Sequence, residues 1–307
     1  MRPDIKHLFE NMPCNLCGAN NYKVLYEARY ENETQKDLIE KFRAAGDETL
    51  IDQVVKCKKC GFIYVNPRIQ GQYILQGYSE GSDETHVGQA KGRELTFAKN
   101  LKLINKYAPK KGRILDIGTA GGSFLYVAKK DGWEVHGVEP NKWMAQWGKK
   151  HYGIEIKPGD IFSNKYPDKY FDVVTLWDVL EHVPDADKTL KEINRILKPG
   201  GLLVVNYPDI GSWIARVLKR KWMFLLSVHL YYFTRRTIKL MLKKNGYEIL
   251  KIKPHFQSLS FGYLIFRTGA YSKLLQKIGK IMIKTLKIQD KQVSYWIGQT
   301  LVIARKK

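Results

Sequence analysis

All four cysteines of this 307-residue chain fall in two pairs, Cys14-x-x-Cys17 and Cys57-x-x-Cys60, each followed by glycine (Gly18, Gly61). A CxxC turn directs two thiolates at one metal ion, and the glycine permits the tight knuckle behind them. Two such knuckles complete a tetrahedral four-cysteine zinc site. Four thiolates close the coordination sphere and leave no position for a reacting water, so the expected Zn2+ is structural. The 39 residues between Cys17 and Cys57 exceed the spacing of the tightest ribbons, and the charged run from Glu31 to Glu48 reads as a helical insertion. Two disulfides are the alternative; they suit a secreted chain, and the start MRPDIKHLFENMPCNLCG lacks a secretory apolar stretch.

A second constellation lies in ILDIGTAGGSF, residues 114–124, an apolar run holding one acid, Asp116, and opening into small residues. The dinucleotide fingerprint G-x-G-x-x-G fails at Ala120, and no Gly-Lys-Ser/Thr follows, which excludes a nucleotide P-loop. An acid at a strand end beside a helix amino terminus suits a ligand with an ammonium group better than a pyrophosphate. Glu139 ends the next apolar run, where a carboxylate binds a ribose diol. Asp160 follows the third, placed to accept from an adenine amino group. Ammonium, ribose and adenine in that order describe S-adenosylmethionine.

These residues need a scaffold, and from about Phe97 strands and helices alternate. RILDI (113–117), EVHGV (134–138), IEI (154–156), FDVVTLWD (171–178), LLVVN (202–206) and YEILKIK (247–253) read as strands. Helices are expected over Ser123–Lys130, Lys142–His151, Asp187–Leu197 (stopped by Lys198-Pro199-Gly200-Gly201) and from the cap Thr234 to Asn245-Gly246. GQTLVIARKK reads as a last strand joining the sheet. Alternation of this kind builds an α/β fold, a mostly parallel sheet with helices on both faces and ligands at the strands' carboxyl ends.

The motifs LDIGTAGGSF, GVEPN, GDIF, FDVVTLWDVLEHVPD and EINRILKPGGLLVV together resemble the class I S-adenosylmethionine-dependent methyltransferases, over roughly Phe97 to Asn206. The resemblance implies a Rossmann-like seven-stranded sheet, plus the small zinc-knuckle module. The expected division is 1–75 for that module and 90–307 for the methyltransferase domain, with a basic helical insertion at about 258–297. Carried over by motif, Asp116 and the backbone of Gly118, Thr119, Ala120 and Gly122 would hold the methionine part. Glu139 would hold the ribose, and Asp160 with the Ile161 amide the adenine. Trp177 and Asp178 would flank the methyl group. The usual G-x-G-x-G loop has Ala120 at its middle glycine, a change small enough for binding to survive. WDVLEHVPD and HLYYFT look like stretches of small-molecule methyltransferases from quinone pathways and bacterial surface-glycan clusters; many of the latter also carry paired CxxC knuckles.

Methyl transfer is an in-line displacement that positioning largely accelerates, and a hydroxyl acceptor must also lose a proton to a base. Of seven histidines, His182 in EHVPD and His229 in HLYYF lie where such a base could reach. Tyr231, Tyr232 and Trp222 read as packing residues. The expected acceptor is a sugar, nucleotide-sugar or lipid-linked glycan precursor. A quinone-pathway O-methyltransferase, an RNA ring-nitrogen or ribose methyltransferase, and a catalytically silent scaffold stand as alternatives. Exocyclic base amines are disfavoured because Trp177-Asp178-Val179-Leu180 replaces the Asn/Asp-Pro-Pro-aromatic motif. Pyrimidine C5 is disfavoured because that chemistry needs a cysteine nucleophile.

Charge is uneven. From Gly201 to Lys307 there are 21 Lys and Arg against three acids (Asp209, Glu248, Asp290), a net +18 of the formal +22. The C-terminal third therefore expects an anionic partner. Lys273, Lys277, Lys280, Lys284 and Lys287 recur at helical spacing beside Leu274, Leu275, Ile278, Ile281 and Met282, the pattern of a basic amphipathic helix. Such a helix either lies on an anionic membrane surface or packs on the core with its lysines in water. With no run of membrane-span length, the expected location is cytoplasmic, with peripheral contact on the inner membrane face.

Overall fold

The computed structural model describes residues 3–30, 33–42, 50–270 and 272–307. The run Glu31 to Glu48 lies partly outside them; within it, helix α2 (Gln35–Glu40) is described, capped by Thr34 in a reciprocal box with Asp37. Before it come α1 (Pro3–Lys6), β1 (Phe9–Glu10) and β2 (Tyr22–Tyr26). After it come β3 (Val54–Cys57), β4 (Ile63–Val65) and β5 (Arg68–Ile69), the last pairing with β1. Helices α3 (Gly71–Ser79), α4 (Glu84–Val87) and α5 (Ala90–Tyr107) lead into the main sheet.

That sheet is built from β6 (Arg113–Ile117), β7 (Glu134–Glu139), β8 (Lys157–Pro158), β9 (Phe171–Trp177), β10 (Leu197–Pro208), β12 (Tyr247–Pro254) and β15 (Gln299–Lys306). Its order is β12-β15-β10-β9-β6-β7-β8, and β15 alone runs against its neighbours. Strand residues alternate between two apolar cores, as the period of two requires. Leu115, Ile117, Val174, Leu176, Leu203 and Val205 join one core, with α8 (Ala186–Ile196) and α10 (Arg235–Lys244) packed on it. Ile114, Val173, Leu202, Val204, Leu301 and Ile303 join the other, covered by α5, α6 (Ser123–Lys130) and α7 (Lys142–Tyr152). Asp185 caps α8 by accepting from the Lys188 amide, and Thr234 caps α10.

One expected strand is displaced. Ile154 and Ile156 are buried packing residues, and the pairing falls instead on Lys157 and Pro158, opposite Val138 and Glu139. Pro158 has no N–H to continue the ladder, which keeps this edge strand to two residues.

The cysteine-bearing segment packs against the first core rather than standing apart. Between α9 (Trp213–Leu218) and α10, β11 (Tyr231–Tyr232) pairs with β4 and completes a four-stranded sheet in the order β11-β4-β3-β2. Phe62 stacks on Tyr231 at 5.7 Å, and buried Lys41 pairs with Asp52 at 2.8 Å.

Residues 255–298 are inserted between β12 and its neighbour β15. The insertion opens and closes with a ladder of β13 (Gln257–Ser260) and β14 (Gln292–Tyr295), and carries α11 (Phe261–Arg267) and α12 (Lys273–Thr285). Its two helices stand on this antiparallel ladder. No helix among the described residues is long and apolar enough to cross a membrane.

Candidate active site and four-cysteine centre

At the carboxyl ends of the parallel strands lies a cavity of about 770 Å³. Asp116, Gly118, Thr119, Ala120, Glu139, Asp160, Ile161, Trp177, Asp178 and His182 all line it. Residues 66 positions apart in sequence meet here because β6, β7, β8 and β9 end side by side.

The loop after β6 takes left-handed φ at Gly118 (64°), Ala120 (50°) and Gly122 (77°). At Gly118 the requirement is double, since a Cβ there would fall 2.7 Å from Val179. Ala120 adopts the same region at a cost of roughly 1–2 kcal/mol. Its amide donates to the Glu139 carboxylate at 2.7 Å, and the Asn141 amide donates to the other oxygen at 2.9 Å. Glu139 therefore clamps the small-residue loop to the end of β7, which the sequence reading missed. Each carboxylate oxygen keeps a further lone pair toward the cavity.

Asp116 is 1% exposed and accepts from the Thr175 hydroxyl at 2.5 Å. Burial pushes both Asp116 and Glu139 up to about 7, and the charge of Glu139 adds to the shift at Asp116. Two buried carboxylates held this way form a well whose ionised state a cation would favour. Asp160 accepts from the amides of Phe162 (3.1 Å) and Ser163 (2.8 Å) through one oxygen, shaping its own turn.

Asp178 sits at φ 53° beyond β9. Its carboxylate accepts from three amide side chains, Asn206 (2.6 Å), Gln299 (3.1 Å) and Gln257 (3.1 Å). Burial still raises its proton affinity. Trp177 packs against Phe97, Phe124 and His255 at 5.1 to 5.9 Å. Gln257 and Gln299 escaped notice in the sequence because they come from the insertion and the reversed strand, far from any motif, and Asn206 because it reads only as a residue of its strand.

The two histidines are brought together with unequal access. His182 faces the cavity; His229 does not line it and is 4% exposed behind His182, the rings 4.6 Å apart. The Val228 carbonyl, an acceptor, lies 3.1 Å from His182 Nδ1, and a proton on that nitrogen would leave Nε2 free to accept. The Tyr78 hydroxyl lies 2.7 Å from the same Nδ1. His229 Nδ1 donates to the Phe224 carbonyl at 2.7 Å. Burial holds His229 down to about 4 and, with the neighbouring His229, keeps His182 well below the ordinary histidine range, so both are neutral at pH 7. Beside them Glu181 is buried, neither carboxyl oxygen has a hydrogen-bond partner among the described residues, and burial raises its proton affinity strongly. Ligand atoms of Glu181, His182 and His229 lie within 4.8 Å of one another, a compact cluster of titratable groups. Tyr231 and Tyr232 are buried, their hydroxyls spent on Pro184 and Leu226 carbonyls, and Trp222 donates to Ile297. All three pack.

The four cysteines converge at a second place. Their sulfurs lie within 4.8 Å of one another, with Cys14–Cys60 at 3.4 Å and Cys17–Cys57 at 3.6 Å. A tetrahedron of ~2.3 Å zinc–sulfur bonds has edges of about 3.8 Å, so the set fits that ion. The knuckles are alike: Gly18 and Gly61 take φ 73° and 79°, and their amides donate to the Cys14 and Cys57 carbonyls at 2.7 and 3.0 Å.

Comparison with known proteins adds the following. A family model described as "Methyltransferase domain" matches residues 90–252. A demethylmenaquinone methyltransferase of Staphylococcus saprophyticus is 41% identical over 75 residues, 23% of this chain and 32% of the relative. A ubiquinone biosynthesis O-methyltransferase of Coxiella burnetii is 31% identical over 123 residues, 38% of this chain and 53% of the relative. The chain thus spans about a third to about half of these relatives' length. A solved S-adenosylmethionine-dependent methyltransferase from Archaeoglobus fulgidus shares the fold. Its TM-score is 0.51 at 20% identity, covering 73% of this chain and 100% of that one.

Proposed function

This chain belongs to the family of methyltransferase domains, and from that premise we propose that it uses S-adenosylmethionine to methylate a sugar, nucleotide-sugar or lipid-linked glycan precursor. The observation carrying the reading is the single cavity shared by the acids of β6 to β9 and by His182. When bound, S-adenosylmethionine supplies an electrophilic methyl group on a sulfonium.

In this reading Asp116 and the amides of Gly118 to Gly122 hold the methionine part. Glu139 accepts from the ribose hydroxyls while it clamps Ala120. Asp160 and the Ile161 amide hold the adenine. Trp177 and Asp178 border the methyl group. His182 Nε2 takes the proton from the acceptor as the acceptor–carbon bond forms and the carbon–sulfur bond breaks, its electron pair leaving on a neutral thioether. His229 supports His182 from behind. Cys14, Cys17, Cys57 and Cys60 hold one structural Zn2+ within a module of residues 1–75 docked on the domain of 90–307. Peripheral contact of the basic helix with the inner membrane face belongs to the same reading.

Methylation of a quinone precursor is the second reading, favoured by the two quinone-pathway relatives. Labelled donor incubated with cell extract separated into lipid-linked glycan, nucleotide-sugar, quinone and RNA fractions tests the choice. Label in the glycan or nucleotide-sugar fraction is the expected result; label in quinones or RNA overturns it. Calorimetry tests the donor half. Glu139→Ala removes charge-assisted bonds worth roughly 1.5–3 kcal/mol each, so donor affinity should fall about tenfold or more. Unchanged affinity would remove Glu139 from the site.

A further inference from the structure

The insertion helix α12 presents three stripes. Gly279 and Ile283 face inward, with Gly279 against Ile265 of α11. Leu274, Ile278 and Ile281 form a second stripe and are each more than half exposed, as is Leu286 just past the helix. Lys273, Lys277, Lys280, Lys284 and Lys287 flank it as the third, all exposed. The helix packs through one stripe only, and its second apolar stripe faces solvent together with the lysines.

A second exposed patch lies far off in sequence. On α9, Trp213 is 65% and Val217 69% exposed, with Leu218 beside them. Arg216, Lys219, Arg220 and Lys221 surround this patch and are exposed too. Trp213 meets Trp296 at 6.2 Å, and Trp296 follows directly on β14, the strand that closes the insertion. The segments next to both patches reach the cavity. Met223 and Phe224, just after α9, line one side of it, and Tyr263 and Phe266 of α11 line another.

Resting on the methyl-transfer reading, we propose that α9 and the α11–α12 pair form one face that docks on an anionic phospholipid bilayer. The cavity mouth then opens toward the lipid, and the acceptor is an amphiphile that enters from the membrane, its apolar part staying in lipid. Exposed large apolar side chains ringed by cations match an acyl–headgroup boundary, where burial and charge act together. A second copy of the chain fits this face poorly, because pairing would bring like-charged lysine stripes together. Beyond Glu248 the one acid is Asp290, so nothing in this stretch would neutralise them.

Flotation of the full chain with phosphatidylglycerol–phosphatidylcholine vesicles, and with phosphatidylcholine alone, at low and high salt, tests the proposal. Binding to the anionic vesicles, weakened by salt, is expected. Trp213→Ser with Val217→Ser, and separately Ile278→Ser with Ile281→Ser, should each weaken it about tenfold or more. Lys277→Gln with Lys280→Gln and Lys284→Gln should abolish the salt dependence in large part. Donor affinity by calorimetry should stay as in wild type in all three, which separates loss of docking from loss of fold. Absence of vesicle binding at low salt overturns the proposal. So does an α9 variant that floats as wild type, a dimer broken by the serine pairs without vesicle binding, or RNA binding in place of vesicle binding. A wild type that floats yet binds no donor would instead sink the methyl-transfer reading and leave the docking surface standing.

Discussion

At the scale of single residues, protons decide how the two halves of the cavity respond to pH. Burial raises Asp116 and Glu139 from the ordinary carboxylate range to about 7. The folded chain thus binds protons there that the unfolded chain has released. The stability they contribute is present below the ordinary carboxylate range and is lost as pH rises through about 7. A cationic ligand reverses the preference by favouring the ionised pair. The donor-induced rise in melting temperature should therefore grow between pH 6 and pH 8, and donor KM should fall over the same window. The histidines behave oppositely: held low by burial, they stay neutral throughout, so kcat at saturating donor should remain flat there. A kcat that titrates with KM would disprove this division. His182→Ala should cost on the order of a hundredfold or more in kcat with donor affinity kept, as for a lost base. His229→Asn, touching no cavity surface, should cost less. The reverse order would make His229 the base.

At the scale of elements, each knuckle should lock when one metal ion joins all four sulfurs. Protein from zinc-replete expression is expected to carry one zinc per chain by elemental analysis; well under one would refute the assignment. The sequence made these elements legible in proportion to how local their causes are. The cysteine spacing, the glycine-bearing turn after Asp116, the Thr234 cap and the Lys-Pro-Gly-Gly stop act within a few residues, and the corresponding elements lie where expected. β8 slipped to Lys157–Pro158 because Ile154 and Ile156 are apolar for packing, not for pairing, and composition does not distinguish the two. The amides around Asp178, and Tyr78 against His182, arise from elements 28 or more positions away, where no spacing rule reaches. The relative access of the two histidines was illegible for the same reason.

At the scale of the whole molecule, the cysteine-bearing segment and the main sheet share a core, and β11 is lent from one to the other. Chelation should consequently lower the melting temperature of the entire chain in one cooperative transition, since structural zinc contributes roughly 10–16 kcal/mol of apparent binding. Two separate transitions in calorimetry, with the second unaffected by chelator, would show independent units.

The position of the 255–298 insertion carries a last consequence. Pro254 and Thr300 are register partners in adjacent strands, so the insertion leaves and re-enters the sheet at almost one point. A part of the cavity wall, from Gln257 to Ile297, is therefore written in one contiguous stretch of chain. Recombination or a graft could exchange that stretch as a cassette, altering that side of the cavity while the acids at the strand ends are inherited intact.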